Sequence, residues 1–313
     1  MNPDAIITAD IHLRDDQPTC RTDVYWEEQE RKILWLSALQ VKYGCPILDA
    51  GDIFQRWNPS LYLVQWALNH LPDGMITVPG NHDLPAHSLD FYSKCGLSVL
   101  EAAGKVQVLE KASSNNLVSL HYENIKTPYG VHVMLFGYPW GIEPVACNSS
   151  PQRRVALCHY MTYMGRAPFP GCKDPGADLL LRKLSGYDLI ITGHNHKTFV
   201  LERDGRILVN PGSFTRHKSD QADHKPCVFL WYAKDNRVEQ VFVPIVEGVI
   251  SREHLEVVEQ KDQRIEAFVS KLNENVDIGL SFEDNLENLI ASSRVRKATQ
   301  TMVWEFVNGN GKN

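Results

Sequence analysis

The sequence has no apolar run near the roughly 18 residues that suggest a membrane-spanning helix. Its first residues, MNPDAIITADIHL, have no basic start followed by a long apolar stretch, so we expect no signal peptide. The seven cysteines are scattered and form no CxxC pair, which argues against a disulfide framework. We therefore expect a cytoplasmic protein with free thiols and no membrane partner.

The chain also lacks a basic excess, since its formal net charge is −6 and its pI is near 6.1. No bulk positive field therefore indicates a nucleic-acid partner. The argument is weak, because a local basic groove or bound divalent cations can reverse the sign at one site. With 313 residues, 43% of them hydrophobic, the chain can form one large domain, or a large one plus a small one.

Short apolar runs predict buried strands, and helical patterns separate some of them. The predicted strands are Ala5–Ala9, Pro46–Ala50, Met75–Val78, Val131–Tyr138, Val155–Cys158 and Leu189–Thr192, and the predicted helices span 27–44 and 59–71. Strands that alternate with helices indicate an α/β layered fold.

The pattern changes after about Pro244. Residues 251–273 are charged with apolar positions at helical spacing, and residues 281–307 repeat that character, which predicts two helices joined by a short loop. We thus predict a main domain of residues 1–245 and a helical C-terminal module of residues 246–313. The last residues, NGNGKN, are expected to be a disordered tail.

Polar clusters follow the predicted strands at their carboxyl ends, where open α/β sheets bind ligands. The clusters are Asp10-Ile11-His12, Gly51-Asp52, Gly80-Asn81-His82-Asp83 and Gly193-His194-Asn195-His196, and His159 follows the run VALC. Taken singly, each could be a turn, a helix cap or a structural histidine. Together they favour one site, in which oxygen and imidazole ligands without thiolate suit manganese, iron or zinc.

The ordered set DxH, GD, GNHD, H and GHxH resembles the calcineurin-like metallophosphoesterase superfamily over about residues 5–215. The resemblance implies two mixed β-sheets in a sandwich flanked by helices. It also implies two divalent metal ions, manganese first with iron or zinc as alternatives, and attack by a metal-bound water.

Carried over motif by motif, the resemblance divides the candidate residues between two metals and a catalytic histidine. One metal would be held by Asp10, His12, Asp52 and His196, and the other by Asp52, Asn81, His159 and His194, with Asp52 bridging. His82 would protonate the leaving oxygen or stabilise the developing charge. Asp83 would orient the His82 imidazole, as carboxylates commonly do.

The stretch GDIFQRWNPS narrows the choice within the superfamily. Its GDIF and Pro59-Ser60, together with PGNHD, FGYPWG and NPGSF, are similar to SbcD-type DNA repair nucleases. That likeness implies endonuclease or exonuclease hydrolysis of DNA phosphodiester bonds. Those nucleases usually read GDLFH, and the expected histidine, which helps place the strand for exonuclease action, is Gln55 here. We therefore expect single-strand or endonucleolytic cleavage to exceed digestion of duplex ends.

The alternative function is a phosphatase or a small-molecule phosphodiesterase of the same superfamily. Arg56 lies four residues after Asp52, where Ser/Thr phosphatases also place an arginine. Those phosphatases usually read GDxxDR and GNHE, whereas this chain has Gln55 and GNHD. Gln55 and Arg56 are candidate substrate contacts under either function.

A basic segment after NPGSF supplies the remaining candidate contacts. Arg216, His217 and Lys218 could touch phosphate oxygens, and the alternative is a solvated loop. The expected partners are DNA, an SbcC-like SMC-type ATPase bound through the C-terminal helices, and a second copy of the chain. The alternative for those helices is that they only pack on the main domain.

Overall fold

The computed structural model describes residues 2–109, 122–126, 131–148, 153–253, 282–292 and 295–307. Backbone contacts divide the chain into two compact units, Met1–Ser251 and Arg252–Asn313. The boundary expected after residue 245 stays a prediction.

The first unit contains four α-helices and twelve strands among its described residues. The helices are α1 (Tyr25–Tyr43), α2 (Leu61–His70), α3 (Gly96–Ala102) and α4 (Ala177–Lys183). The first six strands are β1 (Ala5–Thr8), β2 (Ile47–Asp49), β3 (Met75–Thr77), β4 (Val106–Val108), β5 (Tyr122–Lys126) and β6 (His132–Tyr138). The others are β7 (Arg153–Cys158), β8 (Leu189–Thr192), β9 (Phe199–Arg203), β10 (Arg206–Asn210), β11 (Cys227–Tyr232) and β12 (Arg237–Phe242).

The strands form two six-stranded mixed sheets, in the orders β12-β11-β1-β2-β3-β4 and β5-β6-β7-β8-β10-β9. In the first sheet β1 to β4 run parallel, and β11 and β12 are added antiparallel at the β1 side. In the second, β6, β7, β8 and β10 run parallel between antiparallel edge strands. Parallel strands send their carboxyl ends, and the loops after them, to the same edge.

The apolar residues of the central strands are buried on both faces. In β1, Ile6 packs in the cluster that contains residues of α1, α2 and α3, whereas Ile7 packs in the cluster shared by the two sheets. In β8, Ile190 faces α4, and Ile191 faces the first sheet. This alternation explains why central strands read as continuous apolar runs. The predicted fold class, two mixed sheets flanked by helices, is confirmed.

The sequence located the strands that carry motifs. All six predicted strands and the helices predicted over 27–44 and 59–71 are present, and their ends differ from the prediction by at most two residues. The other six strands, β4, β5 and β9 to β12, were not predicted.

The second unit is described in part. Its described residues include two helices, α5 (Phe282–Ser292) and α6 (Lys297–Val307), whereas a single helix is expected from the sequence over 281–307. The helix predicted over 251–273 falls largely outside the described residues, and so does the NGNGKN tail.

The described residues bear on two expectations from composition, which concern free thiols and membrane-spanning helices. All seven cysteines fall within them and are free thiols. Among these residues, no helix combines the length and apolar character needed to cross a membrane.

Replacement of Ile7 by alanine should destabilise the sandwich. The Ile7 side chain is fully buried between the sheets, so the truncation leaves a cavity and should lower the free energy of unfolding by about 2–5 kcal/mol. Urea unfolding of the metal-free protein measures the change. Val41→Ala, at an 82% exposed position of α1, is the control and should change the value by less than about 0.5 kcal/mol. Equal losses in both variants would contradict this assignment of the core.

Candidate metal centre

The candidate residues lie in loops that follow parallel strands of both sheets. Asp10 and His12 follow β1, Asp52 follows β2, and the pair Asn81 and His82 follows β3. In the second sheet His159 follows β7, and His194 and His196 follow β8. Because the two sheets are stacked with these edges together, side chains from both meet.

Hydrogen bonds join the two sheets at this edge. The backbone N–H of His194 donates to both carboxylate oxygens of Asp10, at 3.1 Å each. The Nδ1 of His159 lies 2.7 Å from the carbonyl oxygen of Ala50. That bond gives the proton to Nδ1 and leaves the Nε2 lone pair of His159 facing the centre.

Four candidate ligands have a left-handed backbone. The φ angles of Asp10, His12, Asp52 and His194 are 51°, 52°, 58° and 77°. This region is disfavoured for residues with a Cβ, and each such residue costs about 1–3 kcal/mol. Such strain persists where surrounding contacts over-determine it, and it concentrates at functional sites.

Two motif glycines are required by close approach of their neighbours. A Cβ on Gly80 would collide with the backbone and carboxylate of Asp52. A Cβ on Gly193 would collide with the carbonyl of Ala50 and crowd the ring of His159. The glycines of GNHD and GHxH therefore let the loops bring their side chains close together.

The residues expected at the first metal converge. The Nε2 atom of His12 lies 3.7 Å from an oxygen of Asp10 and 3.8 Å from Oδ2 of Asp52. The Nε2 of His196 lies 3.1 Å from that of His12 and 3.6 Å from Asp10. Four candidate donor groups therefore point at one small volume.

The residues expected at the second metal also converge. The Oδ1 of Asn81 lies 3.1 Å from Nε2 of His159 and 2.8 Å from Nδ1 of His194. The same Nε2 of His159 lies 3.4 Å from Oδ2 of Asp52. Asp52 is thus common to both sets.

The Asp52 carboxylate provides the test of whether divalent cations fit. It is buried, its Oδ1 accepts the backbone N–H of His82 at 2.8 Å, and its Oδ2 has no hydrogen-bond partner among the described residues. Burial would raise the pKa of Asp52, but the neighbouring imidazoles, His159 first, hold it well below its usual range. A buried carboxylate oxygen with no hydrogen bond, within 3.8 Å of imidazole nitrogens of both sets, fits cations on both sides.

The pKa values of His159, His194 and His196 bear on cation binding, because an imidazole binds a metal in its neutral form. Burial lowers the pKa of His194 to about 4 and that of His196 to about 3, so both are neutral near pH 7. For His159 burial lowers the pKa, but the Asp52 charge outweighs it and raises the pKa to about 9. A bound cation would displace that proton, as metal binding to histidine commonly does.

His82 is adjacent to this set but is held differently. Its ring centroid lies 4.8 Å from that of His12, and its Nδ1 lies 2.8 Å from the backbone oxygen of Gln55. The Gln55 carbonyl therefore accepts the Nδ1 proton and leaves Nε2 free of that bond, and one ring nitrogen of His82 lies within 4.8 Å of ligand atoms of His12 and Asp52. Burial lowers the pKa of His82, although the Asp52 charge opposes this.

Asp83 does not orient His82 as the sequence suggested, and the Gln55 carbonyl makes that contact instead. The Asp83 carboxylate accepts backbone N–H groups of Asp52, Ile53, Phe54 and Gly80 at 2.9–3.3 Å. Burial, followed by the Asp52 charge, raises the pKa of Asp83 to about 7. Asp83 thus fixes the loop that carries Asp52, because the chain path turns its carboxylate toward backbone donors.

The three basic residues after NPGSF lie in different environments. Arg216 is not a substrate contact, because its side chain is 1% exposed and donates to the carbonyls of Ala222 and Val246. Lys218 is exposed, and its charge adds to burial in lowering the pKa of His82 and His196. His217 is buried beside His12 and His196, a placement that the basic sequence around it does not signal.

The remaining candidate contacts, Gln55 and Arg56, line clefts beside the centre. Gln55 lies next to His82, with its Nε2 at 3.4 Å from the imidazole Nδ1. The Arg56 side chain is 72% exposed and lies 3.9 Å from Asp16. Both residues border the two clefts on this side, so both are accessible to a ligand.

A calcineurin-like phosphoesterase superfamily domain matches residues 5–231, which is most of the chain. The protein belongs to the calcineurin-like phosphoesterase superfamily. Members typically bind two divalent metals, and the grouped histidines and aspartates above fit that property. The expectation of a metal-dependent phosphoesterase is thereby confirmed, while the role of each ligand stays a prediction.

Solved structures that are similar to this chain include three distant ones. An archaeal phosphodiesterase is 12% identical with a TM-score of 0.39, and the match covers 76% of this chain and 98% of that one. A protein named as a 5'-nucleotidase from Staphylococcus aureus is 13% identical, with a TM-score of 0.49 and coverage of 83% and 58%. The protein TT1561 of Thermus thermophilus is 10% identical, with a TM-score of 0.46 and coverage of 78% and 100%. Likenesses this distant carry no inference about activity.

The superfamily centre should bind two divalent cations per chain when metal-free protein is loaded with Mn²⁺. Asp52→Asn should weaken both sites, because its free oxygen faces both ligand sets, whereas His194→Ala should weaken one. Elemental analysis and calorimetric titration measure the stoichiometry. His132→Ala, at an exposed position on β6, is the control. One ion or none in the wild type would contradict the two-metal centre.

His82→Ala should slow hydrolysis by about 10²–10⁴-fold and leave the metal content unchanged. The reason is that Nδ1 of His82 is held by the Gln55 carbonyl, so we expect Nε2 to serve the leaving group rather than a metal. The measurement is kcat together with bound metal, compared with His194→Ala, which should lose metal. If His82→Ala lost metal as His194→Ala does, the division between ligands and a proton donor would be wrong.

Proposed function

We propose that the protein is a metal-dependent phosphodiesterase that hydrolyses DNA, similar to the SbcD-type nucleases. The observation that carries the proposal is that two separate clefts border the metal centre, each lined by a different candidate metal ligand. One cleft, of about 280 Å³, is bordered by Asn81 and His82. Another, of about 360 Å³, is bordered by His159. A phosphodiester carries two ester groups on phosphorus, and each of them needs a cleft beside the centre. A monoester carries one ester group and needs only one cleft.

Each of these clefts also contains a tryptophan. Trp57 borders the first and is 38% exposed, and Trp140 borders the second and packs at 4.7 Å, centroid to centroid, from the ring of His194. Aromatic faces beside a phosphate site allow bases of a single strand to stack, worth about 1–3 kcal/mol per base. Nucleotides on both sides of the scissile phosphate would therefore find an aromatic surface.

The charge near the centre also favours a polyanionic substrate, despite the net charge of −6. Arg56 lies at the edge of the first cleft, and Lys218 is exposed close enough to affect the pKa of His82 and His196. A local positive field can attract phosphates in an acidic protein. Bound divalent cations would increase that field.

The residues of the centre divide the chemistry of hydrolysis. When bound, divalent cations would supply Lewis acidity to the phosphoryl oxygens and lower the pKa of water. They would be held by Asp10, His12, Asp52, Asn81, His159, His194 and His196. The chain itself contributes His82, whose protonated form carries hydrogens on both nitrogens.

The Gln55 carbonyl holds the His82 Nδ1 proton, so Nε2 can donate to the leaving oxygen. Burial lowers the pKa of His82 in the free protein, and an arriving phosphate anion would favour the charged form. Proton donation is thus coupled to the presence of substrate.

Gln55 is the feature that separates this chain from the SbcD-type pattern. Its side chain borders the cleft beside His82, and its Oε1 has no hydrogen-bond partner among the described residues. An amide can hydrogen-bond a phosphate but cannot carry a positive charge, whereas a histidine can. We therefore propose a preference for single strands or internal cleavage over duplex ends.

A small-molecule phosphodiesterase or phosphatase is the second candidate function. The clefts of about 280 and 360 Å³ are near the lower end of the size that small ligands occupy, roughly 300–1,000 Å³. A nucleotide could therefore occupy the same space as a segment of strand.

A panel of substrates with Mn²⁺ separates these functions. We expect bis-p-nitrophenyl phosphate to be hydrolysed faster than p-nitrophenyl phosphate, and circular single-stranded DNA to be cut faster than linear duplex is shortened. Asp52→Asn, prepared in parallel, excludes a contaminating nuclease. Hydrolysis of the monoester alone, with DNA left intact, would support the phosphatase and contradict the proposal.

Gln55→His should raise digestion of duplex ends relative to single-strand cleavage, with metal content unchanged. The imidazole restores a group that can carry a charge beside the phosphate. Both rates are compared at one salt concentration, because phosphate contacts are salt-sensitive. Gln55→Asn is the matched control and should show no gain. Efficient duplex digestion by the wild type, with no gain from histidine, would show that Gln55 does not limit this activity.

The partner proposal concerns the second unit. Both helices combine polar and apolar residues, FEDNLENLIAS in α5 and KATQTMVWEFV in α6, and Met302 of α6 is 69% exposed. Such helices could bind the coiled coil of an SbcC-like ATPase or a second copy of the chain. Co-purification of an SMC-type subunit from the source cell would support the ATPase partner. A mass in solution of twice the chain's 35.5 kDa would support binding of a second copy.

A further inference from the structure

A third imidazole joins the pair expected at the first metal. The candidate ligand atoms of His12, His196 and His217 all lie within 4.8 Å of one another. The His217 ring centroid lies 4.8 Å from that of His12 and 5.6 Å from that of His196. None of the superfamily motifs DxH, GD, GNHD, H and GHxH contains His217.

The His217 imidazole has one nitrogen in use and one without a partner. Its Nδ1 lies 3.2 Å from Oγ1 of Thr215. Its Nε2 is buried and has no hydrogen-bond partner among the described residues, and the residue is only 6% exposed. Neutral imidazole binds metals through such a free nitrogen when the other is held by a hydrogen bond.

The segment that carries His217 is fixed to the loop of Asp10 and His12. The N–H of Phe214 donates to the carbonyl of Asp10 at 3.1 Å, and the Thr215 hydroxyl donates to the carbonyl of Ile11 at 3.2 Å. The backbone N–H of His217 itself donates to the side chain of Gln221 at 2.8 Å. These bonds hold the ring in place, so its position does not depend on a flexible loop.

We infer that His217 is a fifth protein ligand of the first metal, through Nε2, beside Asp10, His12, Asp52 and His196. The site would then present three imidazoles. Such a ligand set suits zinc, iron or cobalt, whereas magnesium and calcium prefer sets made mostly of oxygen ligands. The inference concerns metal binding and does not depend on which phosphoester is hydrolysed.

The test measures binding of Mn²⁺ alone, without substrate, in the full chain. His217→Asn keeps a polar atom near the position of Nδ1, for Thr215, and removes Nε2. We expect it to weaken one of the two Mn²⁺ sites by at least about 10-fold in a calorimetric titration, because even the loss of a residue that only orients a ligand commonly costs about 10–100-fold. The matched control is His224→Asn, because His224 lies in the same region but its Nε2 contacts the carbonyl of Ser213 at 2.6 Å. The control should leave both Mn²⁺ affinities unchanged.

Thermal unfolding of the metal-free variants separates a structural role from a ligand role. If His217→Asn lowers the melting temperature but leaves both Mn²⁺ affinities at the wild-type values, His217 is structural and the inference is overturned. A loss of affinity in His217→Asn but not in His224→Asn supports it.

A spectrum of the wild type covers the case in which His217→Asn does not fold. In the cobalt(II) protein each bound histidine should give one paramagnetically shifted N–H proton resonance. We expect five such resonances, from His12, His159, His194, His196 and His217. Four resonances would overturn the inference without any variant.

Discussion

The centre depends on one constraint, the burial of the Asp52 carboxylate between two sets of imidazoles. One oxygen is held by the backbone N–H of His82, and the other makes no hydrogen bond among the described residues and lies 3.8 and 3.4 Å from Nε2 of His12 and His159. An anion in this position is costly to bury unless cations offset it. Two divalent cations of the kind the superfamily typically binds would do so, and Asp52 would lie between them. The surrounding loops can be understood as the structure that holds this carboxylate in place.

That structure is a sandwich whose loops are strained where the ligands lie. Asp10, His12, Asp52 and His194 adopt positive φ angles, and Gly80 and Gly193 allow contacts that any Cβ would block. Asp83 holds the Asp52 loop through four backbone N–H groups. The apolar clusters on both faces of the central strands supply the stability that offsets such strain. Fold stability and metal geometry are therefore linked at the carboxyl ends of the strands.

Much of this arrangement could be predicted from the sequence, because each central strand is a short apolar run that ends in a polar motif. Strands β11 and β12 could not, since β12 has only exposed and half-buried residues and no apolar run, and β11, an inner strand beside β1, is followed by no motif. Three side chains lie in environments that differ from the predicted ones, because they depend on contacts that the local sequence does not show. Arg216 is buried and donates to the carbonyls of Ala222 and Val246. Asp83 accepts backbone N–H groups of the Asp52 loop. The segment that contains His217 is hydrogen-bonded to the Asp10 loop and so lies beside the metal centre. The RHK segment alone resembles a solvated basic loop.

The central claim is that Asp52 lies between two metals, and anomalous diffraction from Mn²⁺-loaded crystals tests it most directly. The account predicts two anomalous peaks about 3.5–4 Å apart, the spacing of two-metal phosphoesterase sites, with the Asp52 carboxylate in contact with both. It also predicts that the peak beside His12 lies next to His196, and that the other lies beside Asn81, His159 and His194. A single peak, or two peaks of which Asp52 contacts only one, would contradict it.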